Sequence, residues 1–99
     1  MEDMLEHADE ATGLLKGLAN PHRLMILCQL AEGEKCVGEL MEATGIAQTS
    51  MSQHLTKLKD EEIVTFRRDH RTLYYKIQSK PVMKIMKILY NTYCSNKEK

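Results

Sequence analysis

The 99-residue sequence predicts a mainly α-helical domain carrying one β-hairpin, and three observations predict it. Apolar residues recur at helical spacing except in two β-branched and aromatic runs, Ile63-Val64-Thr65-Phe66 and Thr72-Leu73-Tyr74-Tyr75-Lys76-Ile77, which the charged stretch Arg67-Arg68-Asp69-His70-Arg71 separates. Pro21, Gly33, Gly45 and Pro81 fall where helices would begin or stop. A 42% hydrophobic content with two prolines and five glycines is that of a folded globular chain, which excludes disorder and low complexity.

Taken in order, a first helix is expected over residues 4–18, with Leu14, Leu15 and Leu18 at its apolar end. Asn20-Pro21 opens a second helix whose run Leu24, Met25, Ile26, Leu27, Cys28 and Leu30 reads as buried and which Gly33 ends. A short third helix covers 37–43, and Thr44-Gly45 makes a tight turn with Gly45 in the left-handed conformation. A fourth helix covers 48–60. The hairpin covers 63–77, its tip built on Asp69 and His70, residue types that tolerate positive φ. Lys80-Pro81 starts a last helix striped by Val82, Ile85, Met86, Leu89 and Tyr93, which reaches Cys94 before a polar tail, 95–99. With no repeat or linker, residues 1–99 form a single domain. A chain this short buries only about 60 to 65% of its unfolded surface, so apolar stripes on the helices at 4–18 and 80–94 imply that a second copy completes the core.

The formal charge is zero, 14 bases against 14 acids, yet it is unevenly placed. Residues 1–45 hold nine acids and three bases, a net of −6, and residues 46–99 hold eleven bases and five acids, a net of +6. Such asymmetry points the second half towards an anionic partner. An acidic N-terminus and the absence of any long apolar run argue against a secretory signal or a membrane span, and a cytoplasmic protein is expected. Three cysteines do not make an extracellular disulfide framework.

On the fourth helix Met51, Leu55 and Leu58 share one face and must pack inward. The opposite face carries Thr49, Gln53, Thr56 and Asp60, flanked by Gln48, Ser50, Ser52 and Lys57. A merely solvated face is usually rich in Lys and Glu, whereas these hydroxyls and amides suit base edges and phosphates. Helix, Gly turn, polar-faced helix and a hairpin with Arg67, Arg68, His70 and Arg71 at its tip is the order of a winged helix-turn-helix, with 36–60 as the helix-turn-helix whose fourth helix fits the major groove and 63–77 as the wing. The candidate DNA-binding residues are therefore Gln48, Thr49, Ser50, Ser52, Gln53, Thr56, Lys57, Arg67, Arg68, His70 and Arg71, the partner being double-stranded operator DNA. A protein-interaction module is the competing reading from another class. A thiol oxidoreductase fits poorly, since no Cys-x-x-Cys or nucleophile-base spacing is present, and neither a catalytic residue nor a cofactor is expected.

The strings Leu15-Lys16-Gly17-Leu18-Ala19-Asn20-Pro21-His22-Arg23-Leu24, Val37-Gly38-Glu39-Leu40, Ser52-Gln53-His54-Leu55-Thr56-Lys57-Leu58 and Leu73-Tyr74-Tyr75 resemble the ArsR/SmtB family of dimeric bacterial repressors. The resemblance implies four helices, two wing strands and a fifth helix, a homodimer through the first and last helices, base reading by Gln48, Thr49, Ser52 and Gln53, and backbone contacts by the wing arginines. Two departures stand out: Ala47 where the family usually has a Ser or Thr cap, and Glu62 where it usually has Gly.

Family members sense metals or thiol chemistry. No His follows His70, and no Asp or Glu lies between Arg71 and Asn96, so the family's zinc site on the last helix cannot be built. Cys36-Val37-Gly38 keeps one thiol of the family's Cys-Val-Cys pair and loses the other. The pairing of Cys28 with Cys94 resembles the BigR, SqrR and YgaV subgroup, which answers persulfides and other reactive sulfur species, and implies a redox switch in which the two thiols are joined by a disulfide or polysulfide bridge, controlling sulfide-detoxification genes. An arsenite or metal sensor using Cys36 with Cys28 or Cys94, and a redox-responsive regulator of virulence genes, remain alternatives. The plain reading of both thiols is packing.

Overall fold

The computed structural model describes residues 2–94; Met1 and the tail 95–99, at the ends of the domain, lie outside the described residues. Helix α1 (Glu2–Leu18) is followed by α2 (Pro21–Leu30), β1 (Lys35–Cys36), α3 (Val37–Thr44), α4 (Gln48–Asp60), β2 (Val64–Asp69), β3 (Thr72–Ile77) and α5 (Lys80–Tyr93). The caps explain the starts of α2 and α5. Asn20 Oδ1 accepts from the N–H groups of His22 at 2.9 Å and Arg23 at 3.2 Å, and Ser79 Oγ accepts from that of Val82 at 3.3 Å. Pro21 and Pro81 lie in first turns, where a missing N–H leaves no bond unmade.

The sheet has three strands, not two, in the order β1-β3-β2, all antiparallel. Lys35 and Cys36 pair with Tyr75 and Tyr74. A two-residue strand carries no readable period, so only its partner reveals it. The second strand also runs further than residue composition predicts, through Arg67, Arg68 and Asp69, because a two-residue loop of His70 and Arg71 closes the hairpin and carries the ladder to its tip. His70 has φ 61°, as its place in the turn predicts. Ile63, expected at the strand start, instead lies just before it, buried, its carbonyl accepting from the N–H groups of Gln78 and Ser79.

One core joins Ile26, Leu27 and Leu30 of α2, Leu40 of α3, Met51, Leu55 and Leu58 of α4, Val64 and Ile77 of the wing base, and Val82 and Met86 of α5. Each such side chain stabilises the fold by about 1.5–3 kcal/mol when fully buried. Helix α1 gives that core only Leu18 among its buried hydrophobics. It is held at its C-terminal end, where Arg23 Nη1 donates to the Gly17 carbonyl at 3.2 Å and reaches Glu61 Oε1 at 3.8 Å. Along its free length Met4, Leu5 and Leu15 remain exposed. Among the described residues no helix is long and apolar enough to cross a membrane.

Candidate nucleic-acid interface and thiol pair

Helix α4 is positioned by the turn before it. Gly45 adopts φ 76° and its N–H donates to the Met41 carbonyl at 2.8 Å, so the chain reverses within three residues. Thr44 Oγ1 secures that reversal, donating to the Leu40 carbonyl at 2.7 Å and accepting from the Ile46 N–H at 3.2 Å, while Ile46 is itself buried. With Met51, Leu55 and Leu58 turned into the core, Gln48, Thr49, Ser52, Gln53, Thr56 and Lys57 are all exposed, and Ser50 is half-buried. Ala47 is the N-cap and supplies no side-chain bond.

The wing arginines do not share one environment. In the hairpin register Arg67 faces Tyr74 and Arg68 faces Leu73. Arg67 Nε donates to both carboxylate oxygens of Glu34 at 3.0 and 3.1 Å, a terminal nitrogen lies 3.0 Å from Glu34 Oε1, and the guanidinium stands 4.6 Å from the centre of the Tyr74 ring. The hydrogen bonds to Glu34 raise the arginine's pKa above its ordinary value. This clamp fastens the middle of the wing to the loop before β1. Arg68 and Arg71, nearer the tip, are exposed and make no ion pair among the described residues. His70 is exposed beside them, Nδ1 2.8 Å from Asp69 Oδ1. Lys59 lies 5.4 Å from the Phe66 ring, joining the end of α4 to the wing base.

Residue patterns missed the flank of the recognition helix. A cavity of about 660 Å³ lies between the start of α2 and α4, lined by Asn20, Arg23, Ser52, Gln53, His54, Thr56 and Lys57. His54 meets His22 edge to face at 5.5 Å. Burial pushes the His54 imidazole below its ordinary pKa, and the nearby charges of Arg23, His22 and Lys57 push the same way. The signal for this flank was the string Asn20-Pro21-His22-Arg23, which marks a helix start and a family likeness but assigns His22 and Arg23 no place beside the fourth helix.

The thiols separate into a pair and a singleton. Cys28 on α2 and Cys94, the C-cap of α5, are 66 residues apart and bring their Sγ atoms to 4.0 Å, both half-buried. They line a groove of about 220 Å³ with Leu24, Met25, Met86, Leu89 and Tyr93. Cys36 lies elsewhere, paired in the sheet and capping α3, with its N–H donating to Glu39 Oε1 at 2.9 Å. That bond lowers the Glu39 carboxyl's pKa. Among the described residues no group of three or more His, Cys, Asp or Glu could hold a metal ion, and the metal-sensing alternative that joins Cys36 to Cys28 or Cys94 is not assembled, because Cys36 is held in the sheet away from the pair.

Residues 20–65, which span α2 through the start of the wing, match the model of the bacterial regulatory protein arsR family. The chain belongs to that family. This arsR-family member is 38% identical over 97 residues to the biofilm growth-associated repressor of Xylella fastidiosa, a match covering 98% of this chain and 85% of the relative. Its fold superposes with a TM-score of 0.89 on reduced HlyU from Vibrio cholerae N16961, at 35% identity and covering 96% of this chain and 100% of that one. It superposes with a TM-score of 0.77 on the homodimeric winged helix-turn-helix DNA-binding domain of a possible ArsR-family transcriptional regulator from Mycobacterium bovis, at 31% identity and covering 99% and 91%. As an arsR-family winged helix-turn-helix protein it is a DNA-binding transcriptional repressor and not an enzyme.

Proposed function

We propose that this repressor is a cytoplasmic homodimer whose hold on operator DNA is switched by reaction of Cys28 and Cys94 with persulfides and related reactive sulfur, controlling sulfide-detoxification genes. The 4.0 Å separation of the two Sγ atoms carries the reading. A direct disulfide needs them to close to about 2.05 Å, whereas bridges with one or two inserted sulfurs of the same bond length span about 3.3 and 4.3 Å, so added sulfur demands less movement. One thiolate attacks the outer sulfur of a persulfide RSSH, releasing RSH and leaving a cysteine persulfide. The second thiolate then attacks its inner sulfur, forming the disulfide and expelling hydrogen sulfide. Both thiols are oxidised and the sulfane sulfur is reduced. With two persulfides the product is a trisulfide, two RSH and one hydrogen sulfide.

Any of these bridges fastens α2 to α5. The dimer reading is supported by the apolar side chains left uncovered on the two terminal helices, Met4, Leu5 and Leu15 on α1 and Ile88 and Tyr93 on α5, and by an apolar cleft between them at Leu14, Leu15, Pro81 and Ile85. A second copy laid there links each α5 to its twin. Tying α5 to α2 then changes the spacing of two recognition helices that must match half-sites one DNA turn apart, and operator affinity falls.

The test uses an operator duplex selected from a randomised pool by the reduced protein. Intact mass spectrometry and duplex binding are followed in parallel after inorganic disulfane, peroxide and diamide. A Cys28 to Cys94 bridge that releases the duplex is the expected result. Release by disulfane that persists unchanged in Cys28→Ser and Cys94→Ser overturns the proposal.

A further inference from the structure

We infer that the groove between α2 and α5 is also a binding site for a soft monovalent metal ion, Cu(I) or its analogue Ag(I), held by the thiolates of Cys28 and Cys94 with the thioether of Met25 as third donor. This uses the same two thiols as the switch but does not depend on it, since no sulfur is oxidised.

Three observations converge. The first is distance: two thiolates bound at about 2.3 Å to a trigonal ion stand about 4.0 Å apart, against about 4.6 Å across a linear one, and the Sγ atoms are already 4.0 Å apart. The second is donor chemistry. The groove lining is Leu24, Met25, Met86, Leu89 and Tyr93 around the two cysteines, so every strong donor in it is sulfur. Zn(II) wants four ligands from Cys, His or carboxylate, and among the described residues no third such group joins the pair. Thiolate with thioether and a low coordination number instead selects Cu(I).

The third observation is which methionine can move. Met25 precedes Cys28 by three residues on α2 and therefore shares its face. It is 40% exposed, so its side chain can turn over the pair without opening the core. Met86 is 1% exposed and belongs to the core. Binding replaces two thiol protons: Cu(I) plus two Cys–SH gives a bis-thiolate complex of charge −1 and two H⁺, the metal keeping its oxidation state.

The experiment is an anaerobic competition for Cu(I) between the reduced protein and excess bathocuproine disulfonate, with circular dichroism confirming that every variant is folded. One Cu(I) per protomer is expected, with affinity falling by about 100-fold or more in Cys28→Ser and in Cys94→Ser, about 10-fold in Met25→Leu and less than about 3-fold in Met86→Leu. Cu(I) affinity unchanged in the cysteine variants, displacement by equimolar Zn(II), or a loss in Met86→Leu but not in Met25→Leu overturns the assignment. The metal-free protein is treated with disulfane in parallel. Bridging without Cu(I) binding sinks this inference alone, and Cu(I) binding without bridging sinks the sulfur switch alone.

Discussion

Glu34→Ala should strengthen DNA binding at low salt and steepen its salt dependence, although Glu34 belongs to the acidic half of the chain. In the folded protein its carboxylate grips Arg67 through bonds of 3.0 and 3.1 Å, and that arginine also lies on Tyr74. With Arg67 engaged, Lys59 against Phe66 at the wing base and Lys76 towards the far end of the hairpin, the exposed cations nearest the recognition face and the wing tip are Lys57, Arg68 and Arg71 in each protomer. If each meets a phosphate, a dimer makes about six such contacts, and log K against log salt has a slope of about −5; with Arg67 added, about eight contacts give about −7. Binding of the selected duplex, titrated from low to moderate salt, reads this directly. Glu34→Ala should move the slope from the first value towards the second, whereas Glu32→Ala, which removes the same charge from the partner of Lys35, should leave the slope in place. Arg68→Ala and Arg71→Ala should each flatten the slope by about 2, and Arg67→Ala should not change it. A loss of slope in Arg67→Ala equal to that in Arg68→Ala would refute the reasoning, because Arg67 would then have left Glu34 for a phosphate.

Other expectations concern stability. Ala47→Ser should supply the missing cap of α4 and raise the urea-unfolding free energy by about 1 kcal/mol. Glu62 holds φ 62°, and Glu62→Gly should add about 1 kcal/mol by relieving that left-handed backbone; a fall in the urea midpoint would contradict it. Gly17→Ala should bring no rise in Tm, because the helical gain of about 0.5–1 kcal/mol is offset where a Cβ meets Glu61 Oε1 at 2.8 Å, turning that carboxylate away from Arg23, and the buried Ile63 Cδ1 at 3.1 Å. A rise in Tm, as for an open helical glycine, is the opposing result. His54 titrates lower in the folded chain than in the unfolded one, so between its folded pKa and its ordinary value of about 6.5 the unfolded chain binds more protons. Its contribution is full above that ordinary value and is lost as pH falls through the window below it, and His54→Gln should make the urea midpoint less sensitive to acid there.

Much of the fold is legible from residue pattern because each cause is local. The spacing of Met51, Leu55 and Leu58 predicts both the helix and its buried face, Asn20-Pro21 predicts where the second helix starts, and Gly45 predicts the left-handed turn, all as found. The base-reading side of α4 follows by subtraction, since what is not core is exposed. The wing is only partly legible. Arg67, Arg68 and Asp69 read as a loop by their charge, yet they are strand, because at the solvent-exposed end of a hairpin backbone pairing sets the conformation and side-chain polarity costs nothing.

What the sequence determined by itself is therefore the series of helices, the hairpin, the polar recognition face and the apolar stripes of the terminal helices, each encoded within a few neighbouring residues. Only the tertiary structure decided which distant groups meet. It pairs two residues before α3 with β3, engages one wing arginine with Glu34 across 33 residues, and sets Cys28 against Cys94 while leaving Cys36 apart. Such contacts depend on how α2, α5 and the sheet pack around one shared core, and packing is a property of surfaces in three dimensions that no local period records.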